Sequence, residues 1–320
     1  MDYLLVAAGV LFLFLGGEAL LRGAVSLARH LRVSPMIIGL TVVGFGTGAP
    51  ELIVCLEAAL TGQPAIAVGN VIGSNIANVL LILGLSAMIR SLPVPREALW
   101  RDGMVMLGAS GLVVAFAVLG TLYRWQGILL FAGLLLFWGY IYRSERKNRS
   151  DELADAGAEI EEDPVGVPRR VGIAGLLSLA GLVTLAVGSN LFLDGAVGLA
   201  RAFGVSEAVI GLSLVAIGTS LPEVAAATVA AARGRGDVAL GNVIGSNIVN
   251  VLGILGLAAM ATPLPLDAVT PCDLAVFLGA AVLALVFFFT GRRIARREGG
   301  FFLFAYAAYM WALFAYPCPL

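Results

Sequence analysis

The chain has 320 residues, of which 60% are hydrophobic and 13% charged, and its net charge at pH 7 is −1. A soluble globular domain is about half apolar and about a quarter charged, so this composition excludes a single soluble core and predicts an integral membrane protein. The nearly neutral charge excludes a basic surface for nucleic acid. The three cysteines have no paired spacing, which excludes a disulfide or zinc framework.

Ten apolar stretches are each long enough to cross a bilayer as a helix, which takes about 20 residues. In chain order they lie at residues 3–28, 35–60, 65–89, 102–122, 125–142, 171–200, 207–232, 238–261, 271–290 and 300–317. The first five fall in residues 1–142 and the last five in residues 171–320. Residues 143–170 between them are hydrophilic and are predicted to form a cytoplasmic linker. The predicted fold class is therefore all-α, a polytopic membrane protein with ten transmembrane helices.

The positive charges orient these predicted spans. Of the 20 lysines and arginines, 17 lie in alternate loops, whereas the opposite loops hold only Arg124 and Arg201, and Arg22 lies within the first span. Cytoplasmic loops of membrane proteins are enriched in Lys and Arg. We therefore expect a multi-pass protein of the cell (plasma) membrane with both termini outside.

The two sets of five spans are copies of each other. Three blocks recur 172 residues later, with 18 identities in 22 positions in the longest block and 8 in 14 in the next. The matched blocks are residues 23–29 with 195–201, 38–51 with 210–223, and 67–88 with 239–260. Because each half has an odd number of spans, the second half must enter the membrane from the opposite side. Inverted repeats are typical of secondary transporters, whose substrate sites lie near the midplane between the halves.

One repeated block carries a proline in the middle of a predicted span. It reads GTGAPE at residues 46–51 and GTSLPE at residues 218–223. Pro50 and Pro222 cannot donate a hydrogen bond to the carbonyl four residues earlier, and their rings crowd that turn. We expect both spans to kink there and to leave backbone carbonyls without helical partners. In lipid such carbonyls need another partner, and a cation can provide one.

A carboxylate follows each proline directly, at Glu51 and Glu223. An acidic residue at the centre of a span costs about 2.5–3.5 kcal/mol on insertion scales, so acids at that depth usually serve ions or protons. The longest repeated block adds hydroxyl and amide oxygens four residues apart, which places them on one helix face. These are Ser74 with Asn78, and Ser246 with Asn250. For the serines, hydrogen bonding to their own helix is an equally good explanation.

All of these candidate ligands are hard oxygen donors. Ca²⁺ takes six to eight oxygens at about 2.3–2.6 Å in adaptable geometry, and Na⁺ can use the same atoms. Zn²⁺ and Cu²⁺ normally recruit imidazole or thiolate, which this set lacks. A further acid, Glu18 in the first span, aligns with Asn190 in the repeat. We expect Glu18 to pair helices or to line an access path.

These blocks resemble the α-repeats of the calcium/cation antiporter superfamily, particularly those of prokaryotic sodium/calcium exchangers, over nearly the whole chain. The resemblance implies that spans 2, 3, 7 and 8 form a core across which spans 1 and 6 slide. It implies Glu51 and Glu223 as the central ligands of calcium and sodium. It also implies a surrounding set in which some positions offer only a backbone carbonyl: Thr47, Thr219, Ser74, Ser246, Ser220, Asn78, Asn250, Gly44 and Ala216.

Two positions depart from the family pattern. Gly48 stands where the motif usually has serine, and Asn250 stands where some prokaryotic members have aspartate. The predicted site then has only two formal negative charges, which one Ca²⁺ would neutralise. Whether sodium or protons serve as the counter-ion stays open at this point.

The predicted function is secondary active antiport of Ca²⁺ for Na⁺ by alternating access. The expected partners are these ions and the lipid bilayer, with no cofactor, no nucleic acid and no obligatory protein partner. A proton-coupled cation exchanger is the alternative within the same class. A passive cation channel is a third possibility, although the repeats suggest a closed cage at the midplane. An intramembrane enzyme that uses the two acids is the weakest, so we expect no enzymatic activity.

Overall fold

The computed structural model describes residues 1–95, 98–155, 170–203 and 218–315. The helices, in chain order, are α1 (Asp2–Leu31), α2 (Pro35–Thr47), α3 (Ala49–Leu60), α4 (Pro64–Ile89), α5 (Met104–Ala117), α6 (Arg124–Asp155), α7 (Val171–Ala202), α8 (Leu221–Ala232), α9 (Gly236–Ala261), α10 (Pro271–Gly291) and α11 (Arg296–Ala315). Four two-residue strands lie between helices: β1 (Leu92–Pro93), β2 (Thr121–Leu122), β3 (Leu264–Pro265) and β4 (Arg293–Ile294). The all-helical class predicted from the sequence is confirmed.

Within the described ranges, 6 helices are long and apolar enough to cross a membrane. They are α1, α4, the first part of α6 (Arg124–Ser144), α7, α9 and α10, and the bent pair α2 and α3 makes a seventh candidate. The repeat of that bent pair was predicted at 207–232, and residues 204–217 lie outside the described ranges. The predicted total of ten spans therefore stays a prediction here.

The proline motif breaks the second predicted span, as expected. α2 ends at Thr47, α3 begins at Ala49, and the two helices meet at 44°. Gly48 joins them with φ −76° and ψ 1°. Pro50 lies in the first turn of α3, where the missing N–H removes no helical hydrogen bond. The break therefore precedes the proline, and Glu51 falls in the first turn of a new helix.

Several helices contain wide π turns that the sequence pattern did not predict. They span Gly39–Val43 in α2, Asn78–Leu83 in α4 and Val249–Leu255 in α9, and a fourth, Ala98–Gly103, precedes α5. π turns inside α-helices are rare and concentrate at functional sites. Two of them include the candidate ligands Asn78 and Asn250.

The described elements recur with the spacing of the sequence repeat. α3 and α8 both start and end 172 residues apart, as do α4 and α9, and so do β1 with β3 and β2 with β4. The strands also join the two halves. β1 pairs with β4 in antiparallel register, with Leu92 opposite Ile294, and β2 pairs with β3 in the equivalent register, with Leu122 opposite Leu264.

The hydrophilic segment predicted as a linker begins as helix. α6 continues from its apolar part through Asp155, well past residue 143. The sequence RSERKNRSDELAD contains neither glycine nor proline and is rich in helix-forming Arg, Glu, Lys and Leu. Residues 156–169 of the predicted linker lie outside the described ranges.

α1 and α7 pack against each other along glycines spaced seven residues apart. These are Gly9, Gly16 and Gly23 on α1 and Gly181, Gly188 and Gly195 on α7. A Cβ atom on Gly181 would lie 2.5 Å from the backbone nitrogen of Leu20, which leaves no room for a side chain. Small residues at such spacing allow helix backbones to approach closely in membranes. The two helices therefore form one closely packed pair.

This α1–α7 pair lies against the central helices, of which α4 and α9 are the most buried. An ion pair links α1 to the end of α8, because Arg233 Nε donates to Glu18 Oε2 at 2.8 Å. Arg22 donates to the other oxygen of Glu18, also at 2.8 Å. The helix-pairing role predicted for Glu18 is thus confirmed.

We expect Gly181→Ala to destabilise the protein, because the added methyl would overlap the α1 backbone and overpacking of this kind costs about 1–3 kcal/mol. Gly175→Ala on the same helix is the matched control, since a Cβ there meets nothing within 4 Å. Thermal denaturation of the purified variants in detergent, followed by the loss of the monodisperse peak, would measure both. Equal melting temperatures for the two variants would contradict the close α1–α7 contact.

Candidate ion-binding site

The two carboxylates of the proline motifs lie in one buried region, although they come from different halves. Glu51 on α3 is 1% exposed and Glu223 on α8 is 2% exposed. Each lies in the first turn of its helix. The Ser220 hydroxyl donates to Glu51 Oε1 at 3.1 Å, which joins the second copy of the motif to the first.

The first copy of the motif reaches the second from the other side. A Cβ placed on Gly48 would lie 3.8 Å from Glu223 Oε1 and 3.6 Å from Asn250 Oδ1. Gly48 therefore lies beside Glu223, as Ser220 lies beside Glu51. Residues of each copy of the motif thus lie beside the carboxylate of the other copy.

The serines and asparagines of the longest block border the same region. The Ser246 hydroxyl donates to the carbonyl of Gly44 at 3.4 Å, and Asn250 Nδ2 donates to Ser74 Oγ at 3.3 Å. Ser74 also donates to the carbonyl of Asn70 in its own helix at 2.6 Å. Of the two explanations for these serines, helix back-bonding thus describes Ser74, whereas Ser246 crosses to the other half.

Several buried oxygens in this region accept no hydrogen bond from any described residue. They are Glu51 Oε2, Glu223 Oε2, Asn78 Oδ1 and Asn250 Oδ1. Buried polar atoms in proteins are nearly always paired, so a group of unpaired acceptors calls for an explanation. Carboxylate and amide oxygens are ligands of hard cations, so a cation bound near the two carboxylates is one explanation of the unpaired acceptors.

The remaining predicted positions have more varied placements. The Thr47 hydroxyl is buried and donates to Val43 O at 3.0 Å in its own helix, with Asn242 Oδ1 at 3.4 Å. Thr219 lies half-buried in the turn before α8. The carbonyl of Gly44 accepts from Ser246, and Ala216 lies outside the described residues.

Two polar residues outside the predicted set form hydrogen bonds with residues of the motifs. Asn242 contacts Thr47 through Oδ1 and donates through Nδ2 to the Glu223 carbonyl at 3.4 Å, so it holds both copies. Its place in the repeated GNVIGSN block was a usable signal. Ser189 on α7 donates to the Gly218 carbonyl at 2.7 Å. This is the carbonyl that Pro222 cannot pair, and a hydroxyl rather than a cation satisfies it.

Comparison with known proteins places the chain in a family. Residues 1–143 and 173–315 match the sodium/calcium exchanger protein family. The chain is 36% identical to the putative antiporter CaxA of Alkalimonas amylolytica over 97% of this chain and 98% of that protein. It is 33% identical to the sodium/calcium exchanger MaX1 of Methanosarcina acetivorans over 98% of both chains.

Solved structures give the same result. A structure of the sodium–calcium exchanger NCX_Mj soaked with Na⁺ and Sr²⁺ superimposes with a TM-score of 0.82 at 31% identity and covers 97% of each chain. Another, soaked with Na⁺ and Ca²⁺, superimposes with a TM-score of 0.82 at 30% identity over 98% of each chain. The family resemblance read from the motifs is therefore confirmed, and the chain belongs to the sodium/calcium exchanger family.

Proposed function

We propose that this protein is a secondary antiporter that exchanges Ca²⁺ for Na⁺ across the membrane by alternating access. The observation that carries the proposal is the meeting of Glu51 and Glu223, from different halves, in a buried region with unpaired oxygens. The similar proteins, a putative antiporter and sodium/calcium exchangers, support the same reaction.

The proposed ion ligands are oxygens of the repeated motifs. Glu51 and Glu223 supply the charge, and neutral oxygens complete the proposed shell. We assign these to Ser74, Ser220, Ser246, Asn78 and Asn250, and to the backbone or side chains of Thr47, Thr219 and Gly44. Ala216, which lies outside the described residues, is assigned by its place in the sequence repeat. One Ca²⁺ neutralises the two carboxylates, and its preference for many oxygens in adaptable geometry fits such a mixed set.

The coupling of the two ion movements follows from the free-energy cost of two buried carboxylates without a bound cation. Two ionised carboxylates in a water-poor interior cost several kcal/mol unless cations compensate them. A conformation that seals the site from both sides is therefore accessible when Ca²⁺ or Na⁺ is bound and is disfavoured when the site is empty. Because the protein must pass through that sealed conformation to change sides, an ion leaves only in exchange for another.

We further propose that the two halves form an inverted repeat of five spans each, with both termini outside. The strand pairs support this arrangement. β1 and β4 lie in loops that the arginine distribution assigns to the cytoplasm, and β2 and β3 lie in loops that it assigns to the outside. Each pair thus joins loops on one face of the membrane, as an inverted repeat requires.

We expect Glu51→Gln and Glu223→Gln each to abolish ⁴⁵Ca²⁺ uptake into proteoliposomes loaded with Na⁺, because each substitution removes half of the charge that holds Ca²⁺. Loss even of a residue that only supports a metal ligand typically lowers affinity about 10–100-fold, so loss of a ligand should cost at least as much. Glu57→Gln is the matched control, since Glu57 lies on α3 as well but is exposed.

Three outcomes bear on this proposal. Normal uptake by both the Glu51→Gln and the Glu223→Gln variants would refute the site. Uptake by the unmodified protein that follows a pH gradient and ignores Na⁺ would replace sodium with protons as the counter-ion. Flux of Ca²⁺ without any counter-ion would make the protein a channel.

The proposed topology has its own test. Cys272 is exposed at the start of α10 and should lie outside, whereas Thr290 is exposed near the other end of that helix. In a Cys318→Ser background, a membrane-impermeant maleimide should label Cys272 in intact spheroplasts. After Cys272→Ser, a Thr290→Cys variant should react only once the membrane is permeabilised. The reverse pattern would invert the proposed orientation.

A further inference from the structure

The two carboxylates have different neighbours, because the two copies of the motif differ at positions 48 and 220. In the second copy, Ser220 donates its hydroxyl to Glu51 Oε1 at 3.1 Å. The equivalent position in the first copy is Gly48, which has no side chain to offer Glu223. Glu51 therefore has a hydroxyl donor at position 220 of the opposite half, whereas Glu223 has the Thr47 side chain beside it but no hydroxyl from position 48.

The space left by the missing side chain is lined with oxygen. The three nearest heavy atoms to a Cβ placed on Gly48 are the Gly44 carbonyl oxygen at 3.2 Å, Asn250 Oδ1 at 3.6 Å and Glu223 Oε1 at 3.8 Å. Glu223 and Asn250 are almost fully buried. In the described part of the chain, the oxygens without a partner are Asn250 Oδ1, which lines this space, and Glu223 Oε2, the other oxygen of the carboxylate that lines it. Acceptors thus surround this space, and a cation or a water molecule is the group that they can accommodate.

Nothing in the backbone requires glycine at this position. Gly48 has φ −76° and ψ 1°, and Ser220 has φ −90° and ψ 6°. A serine already occupies the same backbone conformation at the repeat-related position, so the glycine meets no conformational need. Its effect must be sought in the chemistry of the site.

We propose that Gly48 determines ion specificity by weakening the binding of the singly charged counter-ion beside Glu223. This inference rests on the proposed Ca²⁺/Na⁺ exchange. Ca²⁺ draws on both carboxylates and sits between them, whereas a singly charged ion can bind on one side only. On the Glu51 side such an ion finds the Ser220 hydroxyl, but on the Glu223 side it must retain a water molecule where the hydroxyl would be.

The decisive variants are Gly48→Ser, which adds the hydroxyl, and Gly48→Ala, which fills the space without an oxygen. We expect Gly48→Ser to lower the Na⁺ concentration for half-maximal Ca²⁺ exchange in proteoliposomes by about threefold or more, which lies within the net contribution of one typical hydrogen bond. Gly48→Ala should not lower it. The mirror variant Ser220→Gly should raise it, because it removes the corresponding hydroxyl from the Glu51 side.

Ion binding without transport gives an independent measurement. Na⁺ that binds only the folded protein raises its melting temperature, so titration of NaCl at constant ionic strength with choline reports affinity in detergent. Gly48→Ser should reach half of its stabilisation at a lower Na⁺ concentration than the unmodified protein. If that protein shows Na⁺-dependent stabilisation but no Na⁺-driven Ca²⁺ flux, the proposed exchange fails while this comparison still decides the role of Gly48.

Gly48 does not set Na⁺ affinity if Gly48→Ser leaves two half-maximal Na⁺ concentrations, that for Ca²⁺ exchange and that for thermal stabilisation, within twofold of those of the unmodified protein. The same conclusion follows if Gly48→Ala lowers these concentrations as much as Gly48→Ser does. Were Gly48→Ser to misfold, Ser220→Gly would decide the matter, because deletion of a hydroxymethyl group adds no clash. An unchanged Na⁺ requirement in a folded Ser220→Gly protein would then refute the role of the hydroxyl.

Discussion

Two carboxylates in a water-poor interior are the constraint on which the rest of this structure depends. Glu51 and Glu223 cannot remain charged there without compensation, and no amount of packing replaces a counter-charge. The broken helix before α3 places Glu51 in a first turn, and Ser220 donates its hydroxyl to that carboxylate from the other half. Side-chain oxygens of Glu51, Glu223, Asn78 and Asn250 remain buried without a hydrogen-bond partner among the described residues, as the proposed cation site requires.

The packing around that region separates the helices into two parts. α1 and α7 are joined so closely by their glycines that a methyl group at Gly181 would not fit. Their links to the central helices include the Glu18–Arg233 ion pair and the bond from Ser189 to the Gly218 carbonyl. Apolar contacts lie beside these polar ones, such as Val229 against Gly17. The backbones of α1 and α7 approach each other closely along the pair, which supports its treatment as one unit.

The sequence predicts the features that depend on the covalent structure of proline and on the internal repeat. Pro50 cannot complete a helical hydrogen bond, so a break near it follows from its ring alone. The spacing of the halves was visible as identical residues, and the structure repeats it in α3 and α8. The π turns, the reach of Ser189 to Gly218 and the helical start of the predicted linker were not visible. They depend on how helices are placed in space, and a single sequence does not encode placement as a local pattern.

The differences between the halves matter as much as their likeness. If the repeats were identical, the two access states of an inverted-repeat transporter would be related by the two-fold axis and would have equal energy. Here Ser189 aligns with Gly17, Glu18 with Asn190, and Ser220 with Gly48. The hydroxyl on the Gly218 carbonyl and the ion pair to Arg233 therefore have no equivalents of the same chemistry in the other half. In the proposed inverted-repeat mechanism, the two access states would therefore differ in energy before any ion binds, and an ion would change their balance only through its differential affinity for them.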